Sequence, residues 1–154
     1  MITECLPSIN QTPIIMNTKA LLAALAGAVF SFLAGWVIFG MLLMDFYTAN
    51  TTQYEGLMKG EMPNLVLIFI SGLSSSLLIA YIFSKWANVK TFGAGLMNGV
   101  IIYFFIVTSF DLSMYAFYNL MNVTLVCVDI VVGTIFGGLM GGVIGLVLGM
   151  GKKE

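Results

Sequence analysis

Four long runs of apolar residues divide the chain, and the short segments between them carry most of its charged side chains. Each run is continuous rather than alternating, and its length is close to or above the roughly 20 residues that a helix needs to cross a bilayer. Backbone polar groups in lipid must be paired within the chain, which favours helices. The pattern predicts an all-α, polytopic membrane protein: a four-transmembrane-helix bundle with spans at about 20–44, 64–84, 92–110 and 120–149.

The composition agrees with a membrane environment. Hydrophobic residues make up 60% of the 154 residues and charged residues only 8%, whereas soluble domains carry about 25% charged residues. The basic residues are all lysines and are dispersed along the chain, so no basic surface for nucleic acid is expected. The expected partner is the lipid bilayer, and no nucleic acid is expected to bind.

The distribution of the lysines predicts the orientation in the membrane. Short loops on the cytoplasmic side carry an excess of lysine and arginine, and only Lys59 falls on the opposite side from the other five lysines. The sequence therefore predicts a multi-pass protein of the bacterial inner (cytoplasmic) membrane with both termini cytoplasmic. The five lysines on the predicted inner side are Lys19, Lys85, Lys90, Lys152 and Lys153.

The two ends of the chain are predicted to be short cytoplasmic segments, 1–19 and 150–154, which flank a transmembrane domain at 20–149. The first fifteen residues are polar and contain two prolines. Two explanations stay open for them: translation from an upstream start codon that is seldom used, or a short ordered cytoplasmic arm.

The fourth run carries a glycine at every fourth position, and we call this set the glycine stripe. Such small-residue faces let helix backbones approach closely, which provides much of the association energy in lipid. The stripe predicts packing within one bundle, contact with a second copy of the protein, or a pore lined by glycine backbone. Its members are Gly133, Gly137, Gly141, Gly145 and Gly149, and the third run has a shorter counterpart in Gly95 and Gly99.

Asp129 lies in the fourth apolar run, four residues before Gly133. It therefore shares the face of the glycine stripe and is expected to point at protein rather than lipid. A carboxylate at the centre of a membrane helix costs about 2.5–3.5 kcal/mol on insertion scales, so such residues tend to mark functional sites. Asp129 is predicted either to bind a proton or cation, with Tyr103 as a nearby hydroxyl partner, or to form a structural hydrogen bond that fixes helix register.

Asp45 and Asp111 are expected to end the first and third helices on the outer side of the membrane. An acidic vestibule formed by these groups would attract cations. The simpler interpretation is that lysines are kept inside for topology and the acids are left on the outer side.

The sequence predicts no enzyme, no cofactor and no metal site. It contains no histidine, and its glycine runs follow no predicted strand, which argues against a phosphate-binding loop. Intramembrane aspartyl catalysis needs two facing carboxylates. Asp111 and Asp129 could in principle meet, but Asp111 is expected at the end of a helix, which argues against this activity.

Several local features are shared with one group of proteins. They are Pro63 and Asn64 at the start of the second helix, the Lys85, Trp86 and Ala87 turn, Asp111 and Leu112 followed by Met114 and Tyr115, the Asn119, Leu120 and Met121 run, and Val128 and Asp129 before the glycines. In these features the chain resembles a group of small four-helix bacterial membrane proteins common among Bacteroidetes. The resemblance covers helices two to four and implies the architecture and a bacterial inner membrane, but no activity.

Two functional hypotheses follow. The first is permeation or transport of a proton, cation or small solute, with Asp129 as the binding residue, backed by Asp111 and by hydroxyls of neighbouring helices. Chains this short would need a homo-oligomer to build a sizeable pathway. The second is a non-catalytic membrane scaffold or subunit that packs against a partner membrane protein through its glycine faces. A holin-type pore is a weaker third, because only Lys152, Lys153 and Glu154 form the charged tail.

Overall fold

The computed structural model describes residues 17–60 and 62–150, and this part of the chain is helical without strands. Residues 1–16 of the predicted N-terminal segment and 151–154 of the predicted tail lie outside the described residues. The helices are α1 (Thr18–Val37), α2 (Met44–Asn50), α3 (Leu65–Ile82), α4 (Phe92–Phe117) and α5 (Val123–Gly149).

Four of these helices are long and apolar enough to cross a membrane, which confirms the predicted four-helix membrane architecture. Two of them are lengthened by five residues of π-helix, Ile38–Leu42 after α1 and Phe83–Ala87 after α3. The four long helices alternate in direction. We call the end of the bundle that carries α2 the α2 end, and the opposite end, where residues 17 and 150 lie, the terminal end.

Each long helix begins at a side chain that accepts hydrogen bonds from the first turn. The side-chain oxygens of Asn17, Asn64, Thr91 and Asn122 accept backbone N–H groups that would otherwise lack a partner. Such capping matters more in a membrane protein, because an unpaired backbone group near lipid is costly.

Two boundaries differ from the sequence prediction. The helix α4 continues to Phe117, seven residues beyond its expected end, so Asp111 lies within a helix rather than in a loop. The first span ends at Leu42, two residues before its predicted end, and residues 44–50 form the separate short helix α2.

The helix α5 holds the bundle together, since it contacts α1, α3 and α4, while α1 also packs along α3. Small residues line the buried face of α1 and let these helices approach closely. The largest fully buried side chains include Ile79 and Phe83 from the second span and Met140 and Ile144 from α5. The buried residues of α1 are Ala20, Ala23, Ala24, Gly27, Ala28 and Ser31.

The glycine stripe of α5 is covered by α4 of the same chain. A Cβ atom on Gly99 would lie 2.7 Å from the carbonyl oxygen of Gly137, and one on Gly141 would lie 2.5 Å from that of Gly95. Real Cβ atoms essentially never come this close to backbone atoms, so the two helices touch through their main chains. Of the three uses expected for the stripe, packing within one bundle is the one observed here.

We expect Gly141→Ala to lower the free energy of unfolding by about 1–3 kcal/mol, because the added methyl group must push α4 away from α5. Titration with a denaturing detergent, followed by circular dichroism, measures this change. Gly93→Ala is the matched control, since a Cβ there has no atom within 4 Å. Equal stability of the two variants would contradict the close contact.

Candidate functional site

The contact between α4 and α5 has a regular antiparallel register. Gly99 faces Gly141, the Tyr103 ring lies against Gly137, and Val107 lies against Gly133. Each step moves four residues forward on α4 and four residues back on α5. The next step along this register pairs Asp111 with Asp129.

Asp111 and Asp129, which we call the carboxyl pair, do come together. Their carboxyl groups lie within hydrogen-bonding reach of each other. Asp111 is only 3% exposed, and its Oδ2 atom has no hydrogen-bond donor among the described residues. Two carboxylates can form a hydrogen bond only when one of them carries a proton. A shared proton would therefore satisfy the buried oxygen of Asp111.

Tyr47 on α2 closes this site. Its hydroxyl donates a hydrogen bond to Oδ1 of Asp129. Burial, together with the hydrogen bond and the negative charges of Asp129 and Asp111, raises the pKa of Tyr47 above its ordinary value. Tyr47 therefore stays protonated and remains a hydrogen-bond donor throughout the physiological pH range.

Backbone and side-chain hydrogen bonds hold the α2 segment over the site. The Thr52 N–H donates to the Leu120 carbonyl at 2.8 Å, and the Asn122 N–H donates to the Asn50 carbonyl at 3.3 Å. The side-chain amide of Asn122 also donates to Oδ1 of Asn50 at 2.6 Å. These bonds tie the end of α2 to the connection between α4 and α5, which places Tyr47 above Asp129.

A polar cavity of about 490 Å³ opens at the α2 end, beside this junction. Its lining includes Asn50, Asn122 and Tyr115, and Tyr115 lies one helical turn after Asp111. Neither carboxyl of the pair lines the cavity. Water at the α2 end therefore comes within about one turn of the site, while the Asp111 side chain itself is sealed.

Buried hydroxyl groups continue from the carboxyl pair toward the middle of the bundle. The hydroxyl oxygens of Thr108 and Thr134 are buried without a hydrogen-bond partner among the described residues. Deeper still, the Tyr103 hydroxyl lies 3.9 Å from the sulfur of Met140, and the Ser76 hydroxyl donates to that sulfur at 3.4 Å. The absence of a side chain at Gly137 makes room for the Tyr103 ring.

Only some of the predicted site residues lie together in the structure. It brings Asp129 and Asp111 together, and it places Tyr103 on the same face of α4, about 12 Å farther along the helix at 1.5 Å per residue. Asp45 is exposed in the first turn of α2 and does not join them. Tyr47 was not among the predicted site residues, because its contact with Asp129 spans 82 residues of sequence.

The expectation that Asp111 would close the third helix was wrong. It rested on ending the third helix at residue 110, whereas α4 continues through Phe117 and carries Asp111 on its buried face. Among the described residues, no group of three or more His, Cys, Asp or Glu side chains is placed to hold a metal ion.

No protein-family model, curated protein or solved structure matches the chain.

Tyr47→Phe should lower the free energy of unfolding at neutral pH by about 1–3 kcal/mol, because the half-buried carboxyl of Asp129 loses its donor. The pH dependence should also change. Since the pKa of Tyr47 is raised in the folded state, its stabilising contribution is fully present below about pH 10 and is lost as the pH rises further.

Detergent-induced unfolding measured from pH 8 to pH 11.5 tests this expectation. The stability of the wild type should fall more steeply above about pH 10 than that of Tyr47→Phe. Tyr118→Phe removes an exposed hydroxyl and should follow the wild type. Parallel curves for the wild type and Tyr47→Phe would contradict the burial of the Tyr47 hydroxyl against Asp129.

Proposed function

We propose that the protein is a small multi-pass membrane protein that binds a proton at the carboxyl pair and takes part in proton, cation or small-solute permeation. The observation that carries this proposal is the buried Oδ2 of Asp111, which has no hydrogen-bond partner among the described residues although the carboxyl of Asp129 lies beside that of Asp111. A purely structural aspartate would be expected to have its buried oxygen paired with a donor.

A proton suits the site better than a metal cation. Hard cations such as Ca²⁺ take six to eight oxygen ligands, and the site offers two carboxyl groups, one of which already accepts from Tyr47. Two carboxylates this close in a water-poor setting cannot both be ionised without a counter-charge. The described lysines, at positions 19, 59, 85 and 90, lie outside the helical stretches that carry the pair.

The polar cavity at the α2 end supports loading of the proton from that side. We orient this end outward and both termini to the cytoplasm, because Lys19, Lys85 and Lys90 lie at the terminal end of the bundle. This orientation fits a bacterial inner membrane.

We propose a non-enzymatic role, although two carboxyl groups face each other. Neither Asp111 nor Asp129 lines the polar cavity of about 490 Å³ or a second cavity of about 760 Å³. A hydrolase would need a substrate-sized space beside the acids.

The scaffold alternative would require free glycine faces, and those of α4 and α5 cover each other. A homo-oligomer or a partner membrane protein would instead meet the outer side of α4, where large apolar side chains are exposed. These include Ile101, Phe105 and Phe110.

The test uses the purified full-length chain in proteoliposomes, with proton flux driven by a potassium-diffusion potential and reported by an internal pH dye. Asp111→Asn and Asp129→Asn should reduce flux at least about tenfold, since an amide cannot carry the proton. Asp45→Asn is the matched control, because that carboxyl lies at the same end but is exposed.

Infrared spectroscopy tests proton binding at the carboxyl pair separately from proton flux across the membrane. The wild type should show a protonated-carboxyl band near neutral pH that is absent in Asp111→Asn and present in Asp45→Asn. Wild-type flux no greater than that of protein-free vesicles would exclude a role in proton permeation. Absence of the band would exclude the shared proton itself.

A further inference from the structure

A second cavity, of about 760 Å³, lies between α1 and α3. It begins at Met62 and Pro63, where the chain enters α3, and ends against Tyr103 of α4 and Met140 of α5. None of the described residues that line it carries a charge. Aromatic rings form much of its wall: Phe32, Trp36, Phe39 and Phe136.

The inner end of this cavity is polar. Ser75 and the hydroxyl of Tyr103 lie side by side there. Ser75 is ten residues into α3, or about 15 Å at 1.5 Å per residue. This depth corresponds to the middle of a hydrocarbon core about 30 Å thick. The Tyr103 hydroxyl also lies 3.9 Å from the Met140 sulfur, a weak acceptor.

We propose that this cavity binds an uncharged lipophilic molecule whose oxygen atom hydrogen-bonds to Tyr103 and Ser75. Ligand pockets commonly measure about 300–1,000 Å³ and combine apolar walls with a few polar groups that orient the ligand. An ionised ligand would lie in an uncharged, water-poor space at high cost. A plain hydrocarbon chain would leave the two hydroxyls without a new partner.

The proposal stands apart from the carboxyl pair, because neither Asp111 nor Asp129 lines this cavity. Binding here can therefore succeed or fail independently of proton permeation. The Asp111→Asn variant should lose proton flux and keep this binding site.

The probe is a long-chain primary alcohol that carries a photoreactive diazirine, added to the full-length chain in phosphatidylcholine vesicles. After irradiation, mass spectrometry should locate saturable labelling on peptides that contain Phe39, Phe136 or Met140. Excess unlabelled alcohol should compete. A diazirine alkane of the same length should label without saturation.

Two variants test the geometry. Tyr103→Phe keeps the ring on Gly137 and should weaken binding of the alcohol about fivefold, the size expected for one neutral hydrogen bond. Gly35→Leu should abolish saturable labelling, because a side chain there enters the cavity: its Cβ meets only the Phe136 ring, at 3.8 Å. Gly93→Leu, with no atom near its Cβ, is the matched control and should bind as the wild type does.

Saturable labelling of the wild type that is weakened in Tyr103→Phe would support the proposal. Equal labelling by alcohol and alkane would show that bilayer chains alone fill the cavity, and would overturn it. Equal labelling by a quaternary ammonium probe of the same length would overturn the requirement for an uncharged ligand.

Discussion

The backbone contact between α4 and α5 is the constraint on which the rest of the structure depends. Lipid gives no hydrophobic drive for helix association, so close packing must supply much of the attraction. That packing occurs where neither helix has a side chain, around Gly95, Gly99 and Gly141. The same contact fixes the register, because Tyr103 fits only over a residue without a side chain, here Gly137. Because the register repeats every four residues on each helix, it also brings Asp111 of α4 next to Asp129 of α5.

The contact between α4 and α5 therefore has an electrostatic cost at the α2 end. Burying Asp111 beside Asp129 places two acids together, with the described lysines elsewhere. Part of the cost is offset by Tyr47, which donates to Asp129 from a short helix held by its own hydrogen bonds to the α4–α5 connection. The Oδ2 atom of Asp111 is left without a hydrogen-bond partner among the described residues, which is unusual for a buried polar atom.

The sequence was sufficient for the four spans and for the inward direction of Asp129, because both follow from apolar run length and from a four-residue period. It misplaced Asp111, because the mixed polar and aromatic segment 111–119 resembles a loop, whereas α4 continues until the N–H of Tyr118 bonds to the Met114 carbonyl. Extending the period of Gly95 and Gly99 against the glycine stripe would have predicted the carboxyl pair. Tyr47 and the larger cavity could not be predicted in this way, since each depends on how segments distant in sequence meet.

Access to the carboxyl pair is unequal from the two ends of the bundle. Toward the α2 end, Tyr47 covers the carboxyl pair and a polar cavity lies nearby. A shift of α2 would break a few hydrogen bonds that are close to solvent. Toward the terminal end, the interface beyond Tyr103 is glycine backbone, and opening it would separate the contact that holds α4 on α5. Opening this interface would therefore disrupt the bundle more than a shift of α2 would. Phe39 connects this region with the wall of the larger cavity, since its ring lies edge-to-face against Tyr47 at 5.8 Å and against Phe136 at 5.7 Å.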